Sequence, residues 1–268
     1  MAKKNYGTCS LCRKYGRLTY EHIPPKSSFN SQPVQAVTGY TLLASENRLP
    51  WDISGMRYKN LQQGMGRYSL CSKCNNDTGE WYGNEYAQMA KAAHSAILTN
   101  ANAFVIEQFY PLRFVKQVLS MFCSINSECS ESTIGPIREL VLNKQKAGLD
   151  KQKYKLCMYF TKSKLAKQAG ISVTGNIQTG VFTTLSEITG YPLGFTLYFD
   201  PVEGGNYTGF DITGFADFQY EVCGQATFPL YLLEMNSWLP ADYRSREEIC
   251  LCIKQNEKWE QENGMDIV

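Results

Sequence analysis

Two cysteine pairs with the same spacing, Cys9-Ser10-Leu11-Cys12 and Cys71-Ser72-Lys73-Cys74, decide how the first third of this 268-residue chain folds. A Cys-x-x-Cys turn directs two sulfurs towards one point, and two such turns can surround a single tetrahedral ion. Four sulfurs close the coordination sphere of zinc, so a zinc ion held here would stabilise the fold and take no part in chemistry. The sequence therefore predicts one structural zinc, bound by Cys9, Cys12, Cys71 and Cys74.

Polar residues with catalytic potential lie next to both cysteine pairs. Glu21-His22-Ile23-Pro24-Pro25 lies between the pairs, and the second pair continues directly into Asn75-Asn76-Asp77-Thr78-Gly79. Because a zinc ion with four sulfur ligands has no open position, any chemistry must reside on the neighbouring side chains. These are Glu21, His22 and Asn75.

The strings Tyr20–Pro24 and Leu70–Gly79 together resemble the HNH endonucleases, the ββα-metal nucleases, over roughly residues 5–85. The resemblance implies that His22 is a general base that takes a proton from water. It implies that Glu21 and Asn75 bind one divalent ion, Mg²⁺ or Mn²⁺, which stabilises the reacting phosphate. DNA is then the substrate, and bacterial restriction or anti-phage defence is the expected setting.

The residue types suit these roles. Histidine titrates near neutral pH and can accept a proton in its neutral form, while carboxylate and amide oxygens suit a hard divalent ion. The chain contains only two histidines, and His94 falls in a helical pattern where a packing or surface role is expected. Asn60 lies farther from Cys71 than the middle Asn of the HNH pattern, so the sequence assigns it no role.

Other interpretations remain open at this stage. The cysteines alone are typical of a non-catalytic zinc-finger-like module that binds nucleic acid or acts as an adaptor. His22 could replace one cysteine as a zinc ligand, and Glu21 could be a solvated acid in a turn. Asn75 could be the N-cap of a helix, because Asn is favoured at that position.

Basic residues are concentrated near the motifs. Residues 1–75 carry eleven Lys and Arg against three acids, a net charge of +8, whereas residues 76–268 carry sixteen against twenty-two, a net charge of −6. Such asymmetry favours contact between the first part and nucleic-acid phosphates. The candidates closest to the motifs are Arg13, Lys14, Arg17, Lys26, Arg67 and Lys73.

Composition predicts a folded cytoplasmic protein. Apolar residues make up 43% of the chain and charged residues 19%, which favours a sizeable core. No apolar run is long enough to span a membrane, and the first residues lack the apolar stretch of a signal peptide. In a reducing compartment the other six cysteines are expected to be free thiols packed as small apolar residues.

The pattern along the chain predicts an α+β fold with two parts. Residues 1–100 are expected to form a zinc-stabilised nuclease module with an insertion loop at 26–65. Residues 101–268 are expected to form helices and a mostly antiparallel sheet that could recognise a protein partner or a ligand. Helices are predicted at 80–98, 111–124, 135–143 and 244–261, and strands at 17–21, 66–70, 154–160, 180–188, 193–199, 211–220 and 228–235.

Overall fold

Helices and antiparallel strands alternate along the chain in the computed structural model, which describes residues 5–44, 49–176, 180–205 and 207–263. The predicted α+β class is confirmed. The α-helices are α1 (Gly39–Leu43), α2 (Ser72–Leu98), α3 (Pro111–Ile125), α4 (Glu131–Leu142) and α5 (Arg246–Asn263). The strands are β1 (Tyr6–Thr8), β2 (Tyr15–His22), β3 (Val34–Ala36), β4 (Lys59–Leu61), β5 (Gly66–Cys71), β6 (Ala103–Phe109), β7 (Tyr154–Phe160), β8 (Lys167–Asn176), β9 (Val181–Gly190), β10 (Leu193–Phe199), β11 (Phe210–Asp211) and β12 (Gly224–Pro229).

The first sheet has the strand order β1-β2-β5, and both pairings are antiparallel. The pairing of β2 with β5 contains a register shift. Thr19 pairs with Leu70 and the next residue, Tyr20, pairs with Tyr68, so Ser69 is an extra residue in β5. As a result, both Ser69 and Leu70 are buried. Helix α2 follows β5 without a loop, so that two strands and a helix come together at the second cysteine pair.

Helix α3 is the centre of the core. Every residue from 114 to 125 is buried, as expected of a helix that is covered on all sides. Two of its buried polar residues, Lys116 and Ser124, have hydrogen-bond partners on other segments, whereas Gln117 Oε1 and Ser120 Oγ have none among the described residues. Lys116 Nζ donates to the carbonyls of Asn143 and Lys144 at 2.7 and 3.0 Å, and Ser124 donates to Glu21.

The second sheet has five strands in the order β11-β7-β10-β9-β8, all paired antiparallel. Strands β7, β9 and β10 agree with the predicted strands to within two residues at each end. Strand β8 is absent from the sequence prediction, although Ala169, Ile171 and Val173 alternate with Gly170, Ser172 and Thr174. It is an edge strand that pairs only with β9. Strand β12 pairs with β6 in a separate ribbon.

Several predicted boundaries are wrong for local reasons. Half of the predicted strand at 211–220 is a 3-10 helix, Thr213–Asp217. Asp211 Oδ1 accepts the Thr213 N–H at 2.9 Å and turns the chain there. The predicted strand at 228–235 ends at Pro229. Helix α4 begins four residues earlier than predicted, capped by Ser130, and carries Pro136 inside it.

Residues 26–65 contain more regular structure than the insertion loop that was expected. Strands β3 and β4 pair with each other, and α1 lies between them. Thr38 caps α1, since its side chain accepts the Thr41 N–H at 3.2 Å. Four charged residues that enter the count for residues 1–75, Lys3, Lys4, Glu46 and Arg48, lie outside the described residues.

A single hydrophobic cluster runs through both parts of the chain. It includes Leu11 and Leu70 from the first sheet, Phe122 from α3, and Leu156 and Phe195 from the second sheet. The described part of the chain contains no helix with the length and apolar character that crossing a membrane requires. The six cysteines outside the two Cys-x-x-Cys turns form no disulfide, but they are not all packed as expected. Cys223 is exposed, and Cys129 and the two cysteines on α5 are partly exposed.

Candidate functional site

The four cysteines of the two Cys-x-x-Cys turns meet at one point. Their Sγ atoms all lie within 4.8 Å of one another, and Cys12 Sγ is 3.9 Å from Cys71 Sγ. A tetrahedral ion with metal–sulfur bonds of about 2.3 Å separates its sulfurs by about 3.8 Å. The spacing therefore fits a metal ion, and no other group of three or more His, Cys, Asp or Glu ligands is as close among the residues the structure describes.

Backbone contacts prearrange this cluster. Cys9 N–H donates to the Lys14 carbonyl at 3.0 Å, which closes the first turn, and Cys71 N–H donates to Cys9 Sγ at 3.3 Å. Ser10 bonds to the Ser69 carbonyl through its N–H at 2.8 Å and its hydroxyl at 3.0 Å. The cluster thus joins the β1–β2 turn, the end of β5 and the first turn of α2.

The thiols compete for ionisation. A hydrogen bond with Cys74 lowers the pKa of the Cys9 thiol, and the same contact raises the pKa of Cys74. Burial raises the pKa of Cys12. A bound cation removes this competition, because metal ligation keeps thiols deprotonated.

Glu21 lies on β2 and is fully enclosed. Its Oε2 accepts hydrogen bonds from Ser69 at 2.6 Å and from Ser124 of α3. Burial raises the pKa of Glu21 to about 7, and these two hydroxyl bonds limit the rise. The interpretation of Glu21 as a solvated turn acid is therefore wrong.

His22, the next residue, is half-buried at the end of β2. Its Nε2 is 2.9 Å from the Gln63 carbonyl oxygen, and its ring meets the edge of Tyr20 with centroids 5.1 Å apart. Alternation along the strand directs Glu21 and His22 to opposite faces. His22 is not part of the four-sulfur cluster, so the interpretation of His22 as a substitute zinc ligand is not supported by the geometry.

The turn that faces His22 is held by two side chains that sequence analysis did not identify. Asn30 Nδ2 donates to the Met65 carbonyl at 2.7 Å, and Asn30 Oδ1 accepts the Met65 N–H at 2.7 Å. The Tyr20 hydroxyl donates to the Gly64 carbonyl at 2.8 Å. Nothing in the sequence pairs these residues, which lie 35 and 44 positions apart.

Asn75 lies in the first turns of α2 and contacts β2. Its Nδ2 donates to Thr19 Oγ1 at 3.1 Å and to the Tyr20 carbonyl at 3.4 Å. The N-cap of α2 is Cys71, so Asn75 is not a helix cap. Thr19 and Glu21 are two positions apart on β2, so their side chains lie on the same face of the strand. The contact with Thr19 therefore places Asn75 on the face that carries Glu21.

The side chains of the three candidate residues bind different partners in the described structure. No hydrogen bond among the described residues joins Glu21, His22 and Asn75, and none ends on Glu21 Oε1 or Asn75 Oδ1. These two oxygens are the donor type that a hard divalent ion prefers. The donor chemistry fits such an ion, whereas the cover that α3 forms over Glu21 opposes its access.

Asn60 is exposed on β4, where it pairs with Gln35.

The six basic candidates fall into two groups. Arg13 pairs with Glu131 at 3.2 Å, Arg67 donates to the Ser124 and Ile125 carbonyls at 3.3 Å, and Lys73 pairs with Asp77. The other three are exposed and form no ion pair with a described residue. They are Lys14, Arg17 and Lys26.

His94 packs at the junction between α2 and the second sheet. Its Nδ1 is 2.8 Å from the Tyr191 hydroxyl, and its ring lies 4.5 Å from that of Phe29. Of the packing and surface roles expected for His94, these contacts support the packing role.

No protein family matches this chain, and no curated protein or solved structure shows significant similarity to it.

Proposed function

We propose that this chain is a metal-dependent endonuclease of the HNH type that hydrolyses phosphodiester bonds in DNA. The observation that carries the proposal is the geometry of His22. His22 ends β2, the strand that also carries Glu21, and its Nε2 lies 2.9 Å from the Gln63 carbonyl. A carbonyl only accepts, so this contact leaves Nδ1 of the neutral ring able to take a proton from water.

Two metals have different roles in this proposal. Zinc on the four cysteines is structural, because four thiolates leave no position for substrate. Mg²⁺ or Mn²⁺ is held by Glu21 and Asn75, and such an ion supplies charge stabilisation at the phosphate when it is bound. Glu21 must lose its proton to bind a cation, so cation binding strengthens as the pH rises through about 7.

The setting we propose is the bacterial cytoplasm, with a role in restriction or anti-phage defence. None of the ten cysteines, all of which lie among the described residues, forms a disulfide, which agrees with a reducing compartment. The net charge of +8 on residues 1–75 agrees with a polyanionic substrate.

The alternative is a non-catalytic zinc-finger-like protein that binds nucleic acid or acts as an adaptor. One observation favours it: Glu21 is 6% exposed and bonded to two hydroxyls, so its carboxylate has a structural partner already. In this case His22 supports the fold and performs no proton transfer.

A plasmid assay separates the two functions. Supercoiled DNA is incubated with the wild-type chain and Mg²⁺ or Mn²⁺, beside His22→Ala and His94→Ala, the change at the only other histidine. The nuclease proposal expects nicking that EDTA abolishes and that His22→Ala lowers at least about 10²-fold, the low end for loss of a general base. Zinc content and DNA binding are retained by His22→Ala, and cleavage is retained by His94→Ala.

Two results contradict the nuclease proposal. The first is undiminished nicking by His22→Ala. The second is a shift of DNA mobility without nicking by the wild-type chain at any concentration of either metal, which supports the binding protein.

A further inference from the structure

A two-stranded ribbon lies next to the turn that faces His22. Strands β3 and β4 pair only with each other, and Gln63, two residues after β4, has its carbonyl oxygen 2.9 Å from His22 Nε2. Five residues before β3, the ring of Phe29 lies 4.5 Å from that of His94 on α2. The segments on both sides of the ribbon are therefore attached to the rest of the protein, and one of them contacts the candidate base.

The two faces of the ribbon carry different residues. One face carries Val34, Ala36 and Leu61, which are partly buried, and the other carries the exposed Gln35 and Asn60. Gln35 pairs directly with Asn60, so the two amides leave the same face side by side. Neither amide forms a hydrogen bond with a described residue. Both are free to donate to and accept from a ligand.

Basic residues flank the amide pair. Arg57 and Lys59 are exposed, and neither forms an ion pair with a described acid. Among the described residues of 26–65 there is one further basic residue, Lys26, and one acid, Asp52. The ribbon thus combines neutral hydrogen-bonding side chains with a positive charge that suits phosphates.

We propose that this ribbon reads base edges in the major groove of duplex DNA, with Gln35 and Asn60 as the specificity-determining side chains. The major groove admits a two-stranded ribbon, and the amide of Asn or Gln forms a bidentate pair with N6 and N7 of adenine. Arg57 and Lys59 bind the flanking phosphates. The inference deepens the proposed function and rests on one part of it, that the substrate is DNA.

The dimensions of the ribbon fit a short recognition site close to the cut. Three residues of a strand span about 10 Å, which is the length of about three base pairs. Asn60 is three residues from Gln63, and three extended residues reach at most about 11 Å. If His22 acts at the cleaved phosphate, the bases that the ribbon reads lie within about five base pairs of it.

Selection of bound sequences tests the ribbon without cleavage. The wild-type chain, with no Mg²⁺ or Mn²⁺ added, is used to select from a pool of DNA duplexes with a randomised central segment. We expect a preferred motif that contains adenine. Asn60→Ala and Gln35→Ala should each relax one position of the motif, because discrimination there falls by between about fivefold and 10²-fold while the affinity for unrelated duplexes is retained.

Gln255→Ala is the matched control, because Gln255 is an exposed amide on α5, outside the ribbon. It should leave the motif unchanged. Lys59→Ala should instead weaken binding to all sequences alike and reduce the salt slope by about one unit. All four changes are at exposed side chains, so thermal unfolding is expected to match that of wild type and serves as the check on folding.

Cleavage of the selected duplexes separates failure of the ribbon from failure of the nuclease proposal. A motif that depends on the two amides, in a chain that never cleaves DNA, upholds the ribbon and overturns the nuclease. Cleavage that depends on His22 but shows no sequence preference upholds the nuclease and overturns the ribbon.

Three binding results also overturn the ribbon. The first is a motif that persists in both amide variants. The second is no binding to duplex DNA, or tighter binding to single strands. The third is an equal preference for the same sequence in double-stranded RNA, because side chains cannot read its narrow major groove.

Discussion

Glu21 is a carboxyl group that the fold holds out of water. Its pKa is raised to about 7 chiefly by burial, while Ser124 and Ser69 donate hydrogen bonds that favour the charged form. The unfolded chain exposes this group, with a pKa near the ordinary value of about 4.3. Between these two values the folded state binds a proton that the unfolded state has released.

The resulting pH dependence has a definite sign. Because the folded state binds more protons in this window, the contribution of Glu21 to stability falls as the pH rises from about 4.3 to about 7, and is constant outside it. A shift of this size corresponds to about 4 kcal/mol. We expect the free energy of unfolding of Glu21→Gln to increase relative to that of wild type by a comparable amount across this range, because only wild type loses this stability.

Urea unfolding at a series of pH values measures this difference. The zinc content of both proteins is checked at each pH, since thiolate ligation also depends on protons. A difference between wild type and Glu21→Gln that does not vary between pH 4.5 and 7.5 contradicts the burial argument, and would indicate that Glu21 is ionised throughout.

The sequence predicts the cysteine cluster but not the surroundings of Glu21. Two Cys-x-x-Cys turns need only their spacing to specify a common point. The burial of Glu21 depends on Ser124, 103 positions away, and on the extra residue in β5 that turns Ser69 inwards. Neither long-range contact leaves a periodic signal in the sequence.

At the scale of elements, the four-cysteine cluster determines where α2 begins. The helix starts at Ser72, eight residues before the predicted start at Glu80, because Cys74 belongs to its first turn. Sequence periodicity detects the apolar face of a helix, and the first turns of α2 carry polar residues and Gly79 instead. Their helical conformation is secured by attachment to the cluster.

Removing one sulfur should therefore detach three elements at once. Cys71→Ser is expected to lose one metal ion per chain and to destabilise the fold by several kcal/mol, because the binding free energy of a structural metal is folding free energy. The amide protons of residues 72–79 should lose protection from hydrogen exchange. Metal analysis and exchange measurements on the same sample check both effects.

Cys129→Ser is the control for this experiment, because Cys129 is also half-buried but lies outside the cluster. It should retain the metal and the protection of α2. A stable Cys71→Ser chain with unchanged metal content contradicts the structural role of the cluster.

At the scale of the whole molecule, the second sheet supports the segment that follows His22. Gln168 of β8 donates from Nε2 to the Ile23 carbonyl at 2.8 Å. A Cβ added to Gly190, the last residue of β9, would lie 2.6 Å from Pro24 Cγ. The two sheets are therefore in contact at the candidate site, an arrangement that depends on tertiary packing and that no local pattern predicts.

Gly190→Ala tests this support. The added methyl group cannot fit against the rigid Pro24 ring, so we expect a loss of stability of about 1–3 kcal/mol, the usual cost of overpacking. Under the proposed function, cleavage should fall more than DNA binding, because the displaced segment begins at His22. Gly224→Ala is the matched control, since nothing lies within 4 Å of a Cβ added there.

Thermal unfolding and plasmid cleavage of the two variants are compared with wild type. Equal stability of Gly190→Ala and Gly224→Ala contradicts the close packing of β9 on Pro24. Reduced stability with normal cleavage at a permissive temperature indicates that His22 does not depend on the second sheet.

The charge asymmetry of the whole chain leads to the last prediction. Each neutralised phosphate releases condensed counterions, so the logarithm of DNA affinity falls linearly with the logarithm of salt concentration, by about 0.9 per contact. Arg13, Arg67 and Lys73 already have partners within the protein, which makes the exposed Lys14, Arg17 and Lys26 the better candidates for phosphate contacts.

Charge reversal at the exposed lysines and arginine should therefore reduce the salt slope by about one unit for each contact that is lost. Lys254→Glu, an exposed change on α5 in the acidic part of the chain, is the control and should leave the slope unchanged. Affinities measured by fluorescence anisotropy between low and physiological salt give each slope. A slope that responds to Lys254→Glu but not to Lys14→Glu, Arg17→Glu or Lys26→Glu would assign DNA binding to the second part of the molecule. The +8 region would then hold the cysteine cluster and His22 without holding the DNA.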